Sequence, residues 1–180
     1  ENSLQERVKE LTCLYGIAKL IEQQGNSLNQ IFQGTVNLIP RAWQYPEITS
    51  SRITFEDQFY HSAEFKDSRW VQAAPIILDG IETGCVEVFY LEEKPESDEG
   101  PFLQEERTLI NAIAERLGRA CERIRTTEHL QRKQQDLHHL NIALHEVISK
   151  VQQEKDAINQ RLSEKIDRLI LPMIHDIENR

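Results

Sequence analysis

The sequence predicts an α+β fold: a small antiparallel sheet with helices on one face, followed by a long helix of coiled-coil type. Three observations carry this. Apolar residues recur every three or four positions over residues 3–24 and 28–39. Short β-rich runs separated by turn signals fill residues 51–91. From Phe102 to Leu171, 70 residues contain no Pro and a single Gly, Gly118. Helix, helix, small sheet, long helix is the order of an α+β sensor-like module.

In the first helix Leu4, Val8, Leu11, Tyr15 and Ala18 step by fours and threes, with Leu14, Ile17 and Ile21 beside them. Gly25 is the expected stop. Ser27 then caps a second helix, with Gln30 placed to reach back to it. Its inward residues are Leu28, Ile31, Phe32, Val36 and Ile39, and Pro40 ends it. Residues 40–48, with Trp43, Tyr45 and Pro46, are turn-rich. Ser51 to Glu56 reads as a strand, Asp57-Gln58 as a turn, and Phe59 to His61 as a short return strand. Residues 62–68 form a loop. Trp70 to Leu78 is a strand with Pro75 inside it, so it lies at an edge or bulges there. Asp79-Gly80 is a hairpin signal, and Gly84 to Leu91 is the strongest strand pattern.

Gly100-Pro101 opens the long helix, with Pro at a first helical position. Glu105 and Glu106 fall in its first turn, where they favour the helix dipole. Leu103, Ile110, Ile113, Leu117, Ala120 and Ile124 form one apolar series. A second series runs through Leu130, Leu137, Leu140, Leu144, Val147, Val151, Ile158, Leu162, Ile166 and Leu169. A continuous helix of this length would extend roughly 105 Å at ~1.5 Å per residue. No core of a 180-residue chain covers that. The second series is therefore expected to pair with its copy in a homodimer, through Leu130, Leu137, Leu140, Leu144, Val147, Val151, Ile158 and Leu162. The seam slips between Ile124 and Leu130, which are six residues apart where seven would keep register. The competing expectation is a helix break at Thr126-Thr127. Pro172 is expected to end or kink the helix. Three segments result: a helix over 1–24 for signalling or dimerisation, a sensor domain over 25–124, and a helical linker over 125–180.

Formal net charge is −9, and it is uneven. Residues 1–124 hold 12 Lys and Arg against 21 Asp and Glu, whereas residues 125–180 hold nine of each. An acidic globular part beside a balanced helix disfavours direct binding of nucleic acid. The three cysteines, Cys13, Cys85 and Cys121, form no CxxC or Cys/His ladder, so no metal site is expected. Their spacing fits a reducing cytoplasm. No apolar run reaches the ~20 residues of a membrane span. The chain lacks an initiator Met and begins inside a helical pattern, so it is expected to be part of a longer protein.

Ala74-Pro75-Ile76-Ile77-Leu78-Asp79-Gly80 followed by Gly84-Cys85-Val86-Glu87-Val88 resembles the late hairpin of GAF domains. Phe102, Glu106, Leu109, Ile110, Ile113, Ala114, Leu117 and Ala120 resemble the GAF closing helix. The resemblance covers residues 10–125. Beyond it, Asn141-Ile142-Ala143-Leu144-His145-Glu146-Val147 and Leu169-Ile170-Leu171-Pro172 resemble a helical segment of bacterial regulators that joins a sensor domain to a LuxR-type DNA-binding domain. The resemblance implies a sensory module of a bacterial transcription or signalling regulator, with its output domain outside this chain. The chain departs from larger GAF domains in having only 13 residues, Asp57 to Arg69, between the first strand and the Trp70 strand. Ligand-binding members often carry lid helices there.

Phe55, Tyr60, His61, Phe65 and Trp70 are the candidate lining of a small-molecule pocket, because aromatics with a few polar groups suit an organic ligand. The competing expectation is that these rings fill the core. Arg52 and Arg69 could hold a carboxylate or pair with surface acids. Cys85 is followed by Val86, whereas the bilin-attaching Cys of GAF photoreceptors is usually followed by His. The Asn-Lys-Phe-Asp-Glu set of cyclic-nucleotide GAF domains is not evident, and no cofactor is expected. His138 and His145 share a heptad position, which in a dimer could form a pH-sensitive or metal cluster, although a solvated face is the simpler reading. His145-Glu146 and His175-Asp176 look like the phosphoacceptor pairs of sensor kinases, but neither continues to the expected Pro. No nucleophile–base pair, phosphate loop or carboxylate dyad is present, so no catalytic residue and no enzyme is expected. The expected function is a sensory and dimerisation module that relays an input through the long helix. The alternatives are a structural dimerisation spacer without ligand, or the sensor and dimerisation part of a histidine kinase.

Overall fold

The computed structural model describes residues 2–23, 25–63 and 65–178. The fold is α+β, with a four-stranded antiparallel sheet, packed helices and a long C-terminal helix. It divides into two compact units, Glu1–Thr127 and Glu128–Arg180.

In the first unit, helix α1 (Asn2–Glu22) is followed by helix α2 (Leu28–Leu38). Ser27 caps α2 as its sequence requires: its Oγ accepts from Gln30 N at 3.4 Å, and Gln30 Oε1 accepts from Ser27 N at 2.8 Å. The α-helix ends at Leu38, just before Pro40, as expected. Pro40 sits near the start of a 3₁₀ turn, Ile39–Ala42, where its missing N–H leaves no ladder bond unmade.

The strands are β1 (Thr49–Phe55), β2 (Gln58–His61), β3 (Trp70–Leu78) and β4 (Ile81–Tyr90), in the order β2-β1-β4-β3. β3 is an edge strand, and its register slips between Ile76 and Ile77, one residue past Pro75. Asp79 and Gly80 both take positive φ, 50° and 79°, as a tight hairpin turn requires. β4 begins at Ile81 rather than Gly84, because Ile81 pairs with Leu78 and Glu82 with Ile77 across that turn.

One face of the sheet carries Ile53, Phe55, Tyr60, Ala74, Ile76, Leu78, Val86, Val88 and Tyr90. These join Cys13 and Ile17 of α1, Phe32 and Val36 of α2, Trp43, and Leu109, Ile110, Ile113 and Leu117 of helix α3 (Gln104–Glu178) in a single core. The period of two on the strands and of three to four on the helices thus meets on one side of the sheet.

Helix α3 starts at Gln104 rather than Pro101. A paired bridge between Glu99 and Phe102 holds Pro101 in the turn before it. The freed helix N–H groups find side chains instead: Asp98 Oδ2 accepts from Gln104 N at 3.0 Å, and Glu106 Oε2 from Leu103 N at 2.8 Å. α3 does not break at the threonines. Thr126 and Thr127 donate their hydroxyls to Glu122 O and Arg123 O at 2.8 and 2.9 Å, so both sit within helical turns. Pro172 does not end α3 either, since the helix continues to Glu178. Leu169 and the side chains after it, including Ile170, Leu171, Pro172 and His175, lie outside the residues whose burial is described.

Gly118 sets how closely α3 approaches the sheet. A Cβ at this position would lie 2.7 Å from Ile77 O, a backbone atom that cannot swing aside. Gly118→Ala should therefore push the helix off β3 at a cost of about 1–3 kcal/mol, offset in part by roughly 1 kcal/mol of helix propensity. The expected result is a lower urea midpoint, read by tryptophan fluorescence. An unchanged or higher midpoint would show that β3 yields at this point.

Candidate functional site

In the unit Glu128–Arg180, every side chain of the expected seam is open to solvent in the single chain. The eight residues Leu130, Leu137, Leu140, Leu144, Val147, Val151, Ile158 and Leu162 are 54–66 % exposed. Ile142, Ile148 and Ile166 are also exposed. A helix that leaves such a stripe uncovered has its partner elsewhere or is unstable in water. His138 and His145 each follow a seam leucine by one residue, so they fall beside the stripe, and both are exposed. Among the described residues no cluster of His, Cys, Asp or Glu is placed to hold a metal ion.

In the first unit, the five aromatic candidates do not converge. Phe55 and Tyr60 are buried on the helix side of the sheet, where both rings pack on Phe32, with centroids 4.8 and 5.2 Å away. Trp70 also packs against that core, beneath the Arg69 guanidinium at 4.1 Å. His61 lies on the opposite face, stacked on Phe65 at 5.3 Å, and Phe65 meets Phe89 edge-on at 5.5 Å. The strand alternation that places Tyr60 inward places its neighbour His61 outward. The sheet itself therefore lies between the two groups.

The arginines find acids within the chain. Arg52 is bidentate to its cross-strand neighbour Glu87, at 2.6 and 3.0 Å, and also pairs with Asp67 at 3.0 Å. Its guanidinium lies between Phe65 and Phe89, 5.5 and 5.2 Å from their centroids. Arg69 reaches Glu93 at 3.4 Å. Cys13 and Cys121 are buried, and burial pushes their thiols up to about 12 and about 11, so both are inert near neutral pH. Burial also raises the half-buried Cys85 thiol.

Two features were not legible as sites. The first is on α1. Leu4, Val8, Leu11 and Tyr15 do not face the core but are 56–73 % exposed. The flanking residues Cys13 and Ile17 are buried instead, with Leu14 and Ile21 packed beside them. Two close contacts between α1 and α2 accompany this orientation: a Cβ on Gly16 would lie 2.9 Å from Leu38 Cδ1, and one on Gly34 2.6 Å from Leu20 Cδ1. The apolar stripe was plain in the sequence, but its direction depended on packing against α2.

The second is Glu106, which is 4 % exposed. Its carboxylate accepts from Gln44 N at 2.8 Å, Tyr90 Oη at 2.7 Å and Leu103 N at 2.8 Å. It ties the segment after α2, the end of β4 and the start of α3 to one charge. Burial raises its pKa, and the three donors act against that rise. Glu106 also borders a cleft of about 570 Å³ shared with Glu6, Arg7, Glu10, Gln44 and Glu105. Burial, and then the neighbouring Glu105, raise the Glu10 carboxyl as well. The sequence signals for Glu106 were its place in the first turn of α3 and its place in the closing-helix pattern, and neither marked it as buried.

All three donors to the Glu106 carboxylate come from the chain itself. Among the described residues no helix is long and apolar enough to cross a membrane. No protein-family model matches the chain, and no curated protein matches it in sequence.

Proposed function

We propose that this chain is the sensory and dimerisation part of a bacterial signalling or transcription regulator, in which a GAF-like domain passes its state to an output domain along α3. The module is cytoplasmic and has no catalytic activity of its own. One observation carries this reading: the eight-residue apolar seam of residues 130–162, exposed throughout in the single chain. Burying one leucine-sized side chain contributes about 1.5–3 kcal/mol. A second copy is the simplest surface with the same periodicity. The hairpin and closing-helix resemblance, together with the α+β order of elements, supports the GAF-like assignment.

A structural spacer without ligand is the second reading. It is favoured by the separation of Phe55, Tyr60 and Trp70 from His61 and Phe65 by the sheet. Native mass spectrometry of the purified chain tests both. We expect a mass twice the 21.0 kDa of the monomer. Additional retained mass would favour the sensor, and a clean dimer the spacer. A monomer would remove the proposal, because the seam would then lack its partner.

A further inference from the structure

Glu56 and Asp79 are the non-glycine residues with positive φ among the described residues, at 52° and 50°. Each lies in a hairpin turn, one joining β1 to β2 and the other joining β3 to β4. The two turns share one end of the sheet, where Phe55 pairs with Gly84 and Glu56 N donates to Thr83 O at 3.0 Å. Strained backbone of this kind persists only where its surroundings hold it.

Both turns are held by the same stretch of α3. Glu122 Oε1 accepts from Asp79 N at 3.0 Å. Arg125 pairs with the Glu56 carboxylate, and its guanidinium lies over Phe55, 5.5 Å from the ring centroid. One helical turn earlier, Gly118 is pressed against Ile77 O. Residues 118, 122 and 125 are spaced four and three apart, so they form one face of the helix. A different set of side chains grips α1. Arg116 donates to Leu14 O at 3.2 Å and Arg123 to Ile21 O at 3.3 Å. Both pairs are 102 residues apart in sequence, so α1 and α3 run parallel here. Ile21 O is among the last carbonyls of α1, which have no partner within the helix.

We infer that residues 116–125 of α3 are a coupling collar, through which the two strained turns and α1 jointly set the position of α3 against the sheet. The collar deepens the relay reading above and rests on it: a change at either turn reaches α3 through Glu122 or Arg125, and α1 through Arg116 and Arg123. Glu122 and Arg125 are positioning residues, since each acts through the turn it holds. The arrangement couples because both turns are fixed to one rigid helix face as well as to each other.

Hydrogen–deuterium exchange of the full chain tests this in wild type, Arg125→Ala, Arg125→Lys, Glu122→Ala and Glu122→Gln. Arg125→Ala should speed exchange about fivefold at residues 54–58 and also, remotely, at 77–84 and 19–23. Amides at 86–89, in the middle of the sheet, should not change. Arg125→Lys should restore most of the protection. Glu122→Ala should give the same pattern starting from the other turn, while Glu122→Gln, which keeps the oxygen acceptor, should resemble wild type. Faster exchange confined to 54–58 would overturn the collar and leave Arg125 as a surface ion pair. A general increase that includes 86–89 would also overturn it, as a loss of global stability. Native mass on the same samples separates the two ideas. A remote response in a monomer supports the collar and removes the dimeric relay; a confined response in a dimer does the reverse.

Discussion

Replacing Leu140 and Leu144 together by aspartate is expected to convert the proposed dimer into a monomer. Each residue is more than half exposed in the single chain, at 58 and 54 %. Four leucines would leave the dimer seam, at about 1.5–3 kcal/mol each. That loss alone amounts to roughly 6–12 kcal/mol, or at least four orders of magnitude in the dissociation constant. The new carboxylates would also meet one another. In a parallel in-register pair Asp faces Asp at both positions. In an antiparallel pair the apolar burial lost is the same. The prediction therefore holds for either helix direction. Native mass should fall to that of the single 21.0 kDa chain. The Glu1–Thr127 unit holds both tryptophans, Trp43 and Trp70, so its urea midpoint provides a control that should move little. An unchanged dimer mass would place the interface elsewhere, and the exposed α1 residues Leu4, Val8, Leu11 and Tyr15 would become the next surface to alter.

Glu106→Ala should be among the most damaging single changes in the first unit. It would leave Gln44 N, Leu103 N and Tyr90 Oη without their acceptor. Tyr90 is fully buried, and its ring stacks on Phe102 at 4.5 Å, so its hydroxyl cannot turn away cheaply. At about 1–3 kcal/mol for an unsatisfied buried group, and less for the partly buried amides, the sum is about 3–5 kcal/mol. This is comparable to the whole stability of a marginal domain.

Glu106→Gln separates the hydrogen bonds from the charge. Its amide oxygen can still accept, while its NH₂ would oppose Leu103 N, so a smaller loss is expected. The pH dependence distinguishes the two variants further. The folded-state pKa of Glu106 is raised, mainly by burial. Between the ordinary carboxylate range and that raised value the folded state holds more protons than the unfolded chain. The stability added by protonation of this group therefore declines as pH rises through the window and is absent above it, where the three hydrogen bonds to the carboxylate remain. In Glu106→Gln that decline should disappear from the stability–pH curve. A wild-type curve that instead rises relative to that of Glu106→Gln through the window would mean that the three donors outweigh burial.

The sequence by itself determined the α+β class, the order of elements and the span of β3. It also determined the Ser27–Gln30 cap and the apolar series that α3 buries in the first unit. Each of these rests on a local rule: side-chain period, the donor count at a helix end, or the geometry of a two-residue turn. Tertiary structure alone decided which face of α1 is inward, because neighbouring stripes on one helix differ by a fraction of a turn and packing against α2, with close glycine–leucine contacts at Gly16 and Gly34, selects between them. It alone separated the aromatic candidates, because adjacent strand residues point to opposite faces and a sequence gives no sign of which face is covered. Glu106 and the grip of Arg116, Glu122, Arg123 and Arg125 were hidden for a related reason. A charged side chain in a helix looks solvated until another element supplies its partner, from as far as 43 to 102 residues away in these pairs.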